Sequence, residues 1–289
     1  MTHGANLSIV LPAKNEAAGL TTLLPELVRR YPEAEIIVVD DGSTDDTLTI
    51  CTENQVQWVS HPYSMGNGAA IKAGARHASR EYILFMDADG QHDPSDIPAL
   101  LEKIQLGYEM VVGARNPETH ASTPRRLANY FFNKMASLMT GYQIDDLTSG
   151  FRLVRAKSFR RFLYLLPNGF SYPTTSTMAF FRSGLPVAYV PIDARERIGK
   201  SHIRAARDGF RFAIIILKIG ALFSPMRLFL PVSMGLMLTG TFYYLYTYLM
   251  YNRFTNMSVL LLIASVFIFL IGIVSEQVSS LHYKDNEDR

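Results

Sequence analysis

Residues 82–94 read YILFMDADGQHDP, an apolar run that passes directly into Asp87, Asp89, Gln91 and Asp93 and stops at a proline. A short run rich in strand formers, then a Gly turn, then an Asp-Pro helix start is the signature of a buried strand handing over to a helix in an α/β sheet. Runs of the same kind stand on either side, at 7–11 (LSIVL), 35–40 (EIIVVD), 56–60 (VQWVS) and 109–113 (EMVVG). Helical patterns fill the intervals at 16–30, 45–53, 68–79 and 94–105. Strand and helix in alternation predict an α/β domain with a parallel sheet covered on both faces, whose ligands sit at the carboxyl ends of the strands.

The residues just after each strand are therefore the ones to read for chemistry. In a regular strand Asp87 and Asp89 would point to opposite faces, but where the strand breaks at Gly90 they can converge. Their oxygens, with that of Gln91, are hard ligands suited to Mg²⁺ or Mn²⁺, which binds a diphosphate with few protein groups. A plainer account makes Asp93 a helix cap before Pro94 and Asp89-Gly90 a turn, and leaves Asp87 unexplained. After the first two strands come PAKNE (12–16) and DDGS (40–43). Their acidic and amide groups either bind the hydroxyls and base of a nucleotide, or Asn15 caps the first helix and Asp41-Gly42 forms a turn. Gly66-Asn67-Gly68, with Gly74 beyond, precedes a helix, where bare N–H groups can approach a phosphate or glycines can serve packing. Asp145 and Asp146 stand at the start of another strand. A carboxylate there orients an acceptor, acts as base, holds a basic side chain, or merely belongs to a solvated turn.

Composition narrows the classes. At 289 residues with 48% hydrophobic and 19% charged content, the chain is too apolar for a disordered protein. A net charge of +2 does not suit a general nucleic-acid binder. The single cysteine, Cys51, excludes an internal disulfide framework or a Cys-rich metal site, and Met1 to Ser8 shows no cleavable signal peptide. Apolar residues concentrate at 226–249 and 259–274, the latter extendable to 281, joined by the link 250–258. This pattern predicts two transmembrane helices in a hairpin. Basic residues before the first span place residues 1 to about 225, and the tail, in the cytoplasm of a multi-pass cell (inner) membrane protein. Arg195, Arg197, Lys200, Arg204, Arg207 and Arg211 crowd one stretch. Those from 204 onward recur at helical spacing with Lys218, which predicts an amphipathic interfacial helix. The expected organisation is a catalytic domain over 1–202, that helix over 203–224, the hairpin over 225–281 and a cytosolic tail over 282–289.

Taken in order, PAKNE, VVDDGSTDDT (38–47), GNGAAIKAG (66–74), DADGQHDP (87–94), GAR (113–115), DDLTSGFR (145–152) and RERIGKSHI (195–203) resemble the inverting family 2 glycosyltransferases. The similarity is to the branch of dolichol-phosphate mannose synthases and polyprenyl-phosphate glycosyltransferases, and it covers about residues 6–215. It implies a GT-A fold, Rossmann-like with a mostly parallel sheet. It also implies transfer of a hexose from a nucleoside-diphosphate sugar, of the GDP-mannose or UDP-glucose/UDP-N-acetylglucosamine type, to polyprenyl (dolichyl or undecaprenyl) phosphate. By the same resemblance Pro12, Lys14, Glu16, Asp40 and Asp41 hold the nucleoside, and Asp87, Asp89 and Gln91 hold metal and diphosphate. Gly68, Arg115, Arg195, Lys200, Ser201 and His202 join the substrate contacts, Arg126, Arg195 and Arg197 are the candidates to meet phosphate, and Asp146 serves the acceptor side. Asp89, Asp146, Arg126 and Arg197 form the expected catalytic set. The implied partners are the nucleotide sugar, the polyprenyl phosphate, the bilayer and, in a homo-oligomer, a second copy of the chain; nucleic acid is not among them. Lys14 replaces a common aromatic residue, His202 replaces a common lysine, and no Gln-x-x-Arg-Trp motif occurs. Two other functions fit the same residues: transfer to another membrane lipid such as diacylglycerol, and a non-catalytic membrane scaffold retaining the fold.

Overall fold

The computed structural model describes residues 4–115, 123–169, 171–193, 214, 217, 218, 220, 221 and 225–287, the side chains of 123–128 and 280–287 excepted. It divides into two compact units, one of residues 1–134 and 143–212 and one of residues 135–142 and 213–289.

The first unit is built on a seven-stranded sheet. In chain order it runs β1 (Leu7–Ala13), α1 (Ala17–Arg30), β2 (Glu35–Asp40), α2 (Thr47–Glu53), β3 (Gln57–Ser60), α3 (Asn67–His77), β4 (Tyr82–Phe85) and, after a 3₁₀ turn at Pro94–Asp96, α4 (Ile97–Gln105). Then come β5 (Met110–Arg115), α5 (Thr123–Thr140), whose residues from 135 onward belong to the second unit, β6 (Arg152–Arg155), α6 (Ala156–Arg160), α7 (Tyr172–Arg182) and β7 (Val187–Ile192). The strand order is β3-β2-β1-β4-β6-β5-β7. Leu7, Ile9 and Leu11 face one way, with Leu20, Leu24 and Leu27 of α1 and Leu100 and Ile104 of α4. On the other face α3 lies so close that a Cβ on Gly74 would come within 2.2 Å of the Val10 side chain. Two covered faces explain why the central strands are apolar throughout rather than alternating.

The five strands expected from the sequence are present, with two corrections. Run 56–60 is not buried: β3 is an edge strand whose Gln57, Trp58 and Ser60 are exposed. Nor is the sheet wholly parallel, because β6 runs antiparallel to both β4 and β5. Their register pairs Arg152 with Phe85 and with Val112. A strand that enters backwards starts where its neighbours finish. The chain before β6 is thereby delivered to the carboxyl ends of β4 and β5, the edge where α/β sheets bind ligands.

In the second unit, α8 (Pro225–Tyr251) and α9 (Asn256–Glu287) are long and apolar enough to cross a membrane, with mean hydropathy 1.4 and 3.0 over their most apolar windows. They pair through small residues: Gly240 lies against Leu261 and Leu262, Gly272 against Phe229, and Ser233 Oγ donates to the Ser265 carbonyl at 2.9 Å. Small residues let apolar helices approach closely where no hydrophobic effect drives them together. Glu276 accepts from the Met226 N–H at 3.2 Å, so a carboxylate of α9 caps the first turn of α8. Arg227 donates to the carbonyls of Leu138 and Met139 at 3.2 Å each, satisfying the C-terminal end of α5.

Candidate active site

The loops after β1 and β2 are sewn together by side chains. Asn15 adopts a left-handed backbone (φ 55°), its N–H donating to Ser43 Oγ at 2.9 Å and its Oδ1 accepting from Thr44 N–H at 2.7 Å. It does not cap α1. The free N–H of Ala17 instead meets the Asp45 carboxylate at 3.1 Å, a cap supplied by the neighbouring loop. Asp40, buried at the end of β2, accepts from Ser43 N–H and Ser60 Oγ at 2.9 and 2.8 Å. Asp41 accepts from Ser64 Oγ and from Met65 and Gly66 N–H, and lies 2.8 Å from His61 Nδ1. Burial pushes the Asp41 carboxyl up, but these hydrogen bonds outweigh it and hold the pKa below the usual range. Asp41 thus shapes the loop after β3, and Gly42 (φ 71°) makes the expected turn against it. Pro12, Lys14, Glu16 and Asp40 share this edge of the sheet, Lys14 exposed and Pro12 and Glu16 half-buried.

The glycine loop before α3 does something other than cradle a phosphate. Gly68 N–H donates to the Gly169 carbonyl at 3.2 Å and Ala69 N–H to the Asn168 carbonyl at 2.9 Å. A Cβ on Gly68 would stand 2.0 Å from the Pro167 carbonyl oxygen. The helix N-terminus is occupied by a loop of the same chain, and Lys72 Nζ ties that loop down through the Leu166 carbonyl and Asn168. Glycine is needed at 68 for backbone to meet backbone, the packing use that the sequence also allowed beside the expected substrate contact. Gly68→Ala is expected to destabilise the protein by about 2–3 kcal/mol through this collision, read as a lower midpoint of thermal unfolding.

At the end of β4, Asp87 is half-buried and Asp89 buried, with Gly90 at φ 75° turning the chain so that Gln91 N–H donates to Asp89 Oδ1 at 3.2 Å. Helix α1 crosses this turn so tightly that a Cβ on Gly19 would meet the Ala88 carbonyl at 2.2 Å. Asp93 accepts from Ser95 N–H at 2.8 Å and so caps the following turn, as the plainer account has it. Among the described residues no three His, Cys, Asp or Glu side chains gather closely enough to hold an ion by themselves. Asp87, Asp89 and Gln91 offer only hard oxygens at this turn, a donor set that fits a Mg²⁺ or Mn²⁺ ion completing its shell with water and a diphosphate.

His92, to which sequence reasoning gave no role, packs beside this turn. It is fully buried, stacks on Phe151 with centroids 5.0 Å apart, and its Nδ1 accepts from Asp87 N–H at 3.3 Å. Burial pushes its pKa down from 6.5 to about 4, so the ring is neutral. Between those values the unfolded chain binds a proton that the folded chain does not, so stability falls as pH drops through the window, by about 3 kcal/mol. Asp41 and Asp146 titrate in the fold below their ordinary 3.8. Their contribution is present above that pH and is lost as pH falls further. In denaturant titrations across pH, His92→Gln is expected to flatten the loss between 6.5 and 4 and to leave the steeper loss below it.

The loop entering β6 completes the site. Asp146 forms a two-pronged ion pair with Arg115 at the end of β5, Nε to Oδ2 at 2.8 Å and Nη2 to Oδ1 at 2.9 Å. It also accepts from the N–H groups of Thr148 and Ser149 at 3.0 Å each. Burial would raise the Asp146 pKa, but Arg115 and these N–H groups lower it on balance, so the carboxylate is ionised and a weak base. Asp145 is exposed and bonds Gln143. Arg152 is wholly buried at the start of β6, and its signal in the sequence was a lone cation followed by an apolar pair in SGFRLV. Of the remaining expected residues, Arg126 falls within α5, its side chain outside the described residues. Arg195, Arg197, Lys200, Ser201 and His202 lie outside the described residues, as does most of the expected amphipathic helix.

Comparison with known proteins agrees with the fold. The profile of Glycosyl transferase family 2 matches residues 8–163, and that of the GtrB C-terminal hairpin matches residues 224–281. An undecaprenyl-phosphate 4-deoxy-4-formamido-L-arabinose transferase of Klebsiella pneumoniae is 34% identical over 154 residues, 48% of this chain and 46% of that one, so the match spans about half the relative's length. A dolichyl-phosphate beta-glucosyltransferase of Trichomonas vaginalis is 32% identical, covering 75% of this chain and 71% of that one. An undecaprenyl-phosphate mannosyltransferase of Micrococcus luteus is 30% identical, covering 66% and 85%. In fold the chain is similar to glucosyl-3-phosphoglycerate synthase from Mycobacterium tuberculosis, crystallised with Mn²⁺, uridine diphosphate and glucosyl-3-phosphoglycerate, at TM-score 0.61 and 20% identity over 75% of this chain and 80% of that one.

Proposed function

This chain belongs to the family 2 glycosyl transferases, and from that premise we propose that it is a membrane-bound inverting enzyme moving a hexose from a nucleoside-diphosphate sugar to polyprenyl phosphate. The observation that carries the reading is the joint presence, on one sheet edge, of the Asp87-Asp89-Gln91 turn and the Asp146–Arg115 pair, in a chain that also holds two membrane-length helices. The oxygens of Asp87, Asp89 and Gln91 would hold Mg²⁺ or Mn²⁺, which would supply charge to neutralise a departing diphosphate. Pro12, Lys14, Glu16 and Asp40 frame the nucleoside. The acceptor phosphate oxygen forms a bond to the anomeric carbon as the bond to the diphosphate breaks on the opposite side, and the nucleoside diphosphate leaves.

That acceptor is already an anion at neutral pH and needs positioning more than deprotonation. Asp146 suits such chemistry because its donors keep it ionised and weakly basic, so its task is to hold Arg115 and the 146–149 turn in place. A hydroxyl acceptor such as diacylglycerol would call for a true base, a role that the lowered pKa of Asp146 does not favour. The cations of 195–204 meet the lipid phosphate, the basic stripe lies at headgroup level, and the catalytic unit and tail face the cytoplasm. The domain limits that go with this reading are 1–202, 203–224, 225–281 and 282–289.

The test is a panel of GDP-, UDP- and CDP-sugars offered to detergent-purified full-length protein with a short polyprenyl phosphate and Mn²⁺. One donor is expected to yield a lipid-linked sugar of inverted anomeric configuration. Transfer to diacylglycerol but not to the phosphate, or nucleotide binding with no transfer to either lipid, would overturn the reading.

A further inference from the structure

Arg152 carries a charge that local structure does not explain. Its guanidinium is fully buried, yet no carboxylate among the described residues pairs with it. It donates instead to neutral acceptors: the carbonyls of Ser149 and Pro173, at 3.1 and 2.9 Å, and the hydroxyls of Ser176 and Thr177, at 2.9 and 3.1 Å, beneath the Tyr172 ring at 5.6 Å. A buried cation without a partner is costly, and if anchoring α7 were all that was required, a neutral donor would do it more cheaply.

Besides Tyr172 and Tyr189, the groups whose fields reach Arg152 are the carboxylates of Asp146 and Asp87, both on the site itself. The backbone joins them: Ser149 gives its carbonyl to Arg152 and its N–H to Asp146, and the next residue, Gly150, lies against the Asp87 carboxylate, where a Cβ would come within 2.6 Å. We propose that Arg152 is a positioning residue that sets the charge of the nucleotide site, holding the turn that carries Asp146 and offsetting the carboxylates so that cation and diphosphate bind in balance. This deepens the function proposed above and rests on it. Arg115 and Arg152 are both cations whose fields meet Asp87 and Asp146, and a bound divalent ion would add the positive charge that receives a diphosphate. Without Arg152 the site would hold the ion more tightly and, once loaded, attract the diphosphate less.

The two affinities must therefore move in opposite directions, which a merely structural role would not produce. Full-length protein in detergent is titrated calorimetrically with Mn²⁺ alone, then with UDP and GDP at saturating Mn²⁺. Arg152→Met is expected to bind Mn²⁺ about tenfold more tightly and the nucleoside diphosphate about tenfold more weakly, while Arg152→Lys stays within about threefold of wild type on both. Ser176→Asp, which seats a carboxylate on the guanidinium without removing it, is expected to shift both affinities in the same senses as Arg152→Met. Both affinities weakening together, or neither changing, in these two variants would overturn the proposal. Should Arg152→Met not fold, Ser176→Asp decides by the same criteria. Should neither fold while Arg152→Lys does, Arg152 serves the fold alone and the proposal fails. A wild-type protein that binds Mn²⁺ but no nucleoside diphosphate would instead remove the proposed function, with the Mn²⁺ arm still testing Arg152.

Discussion

Asp89→Asn is expected to lower sugar transfer to polyprenyl phosphate by about a thousandfold while leaving the protein folded. The amide matches the carboxylate in shape and its oxygen can still accept from Gln91 N–H, so the turn at Gly90 persists. What is lost is a formal charge at the point where the diphosphate must be neutralised, and groups that stabilise developing charge in a water-poor site are worth about two to three orders of magnitude each. Steady-state turnover with the preferred donor is the measurement, with Mn²⁺ titration beside it. Undiminished turnover with bound metal retained would remove Asp89 from the reaction.

Asp146→Asn should be nearly as damaging as Asp146→Ala, which is unusual for so conservative a change. Apart from the Thr148 hydroxyl at 3.2 Å, which can also accept, every partner of Asp146 is a donor only: Arg115 through its side chain and its N–H, and the N–H groups of Thr148 and Ser149. Whichever way an amide is turned, its NH₂ faces another donor, and Arg115 is left half-paired in a largely buried setting. A loss of about 3 kcal/mol in stability is expected for either variant, at the lower end of the range for broken buried pairs because the Arg115 side chain is 30% exposed. Transfer should fall by about a hundredfold or more as the turn loosens. Chemical unfolding and kcat/KM measured on the same preparation check both parts, and an Asn variant as stable as wild type would refute the donor-only account.

The elements were legible where burial speaks through composition. The runs at 7–11, 35–40, 82–86 and 109–113 are apolar because helices cover both faces of the sheet, and the run from 226 to 249 carries one charge, Arg227, at its edge. Helix α7 was not legible. Its YPTTSTMAFF is rich in residues that disfavour helices, and it stands because its hydroxyls bond backbone carbonyls and Arg152. The direction of β6 was equally hidden, since side-chain periodicity is the same for a strand read either way.

Local sequence by itself determined which residues could do chemistry: carboxylates and an amide in DADGQ, an acid pair in DDLTSGFR, and two spans of membrane length. Only the tertiary structure decided what each does. It fills the helix N-terminus at Gly68 with a carbonyl loop, commits Asp41 to the loop after β3, binds Asp146 to Arg115 from another strand, and buries Arg152 behind two acids. The physical reason is that a polar side chain's role is set by the partners within hydrogen-bond reach and by the water it has lost. In a sheet whose strand order departs from chain order, those partners come from distant parts of the sequence.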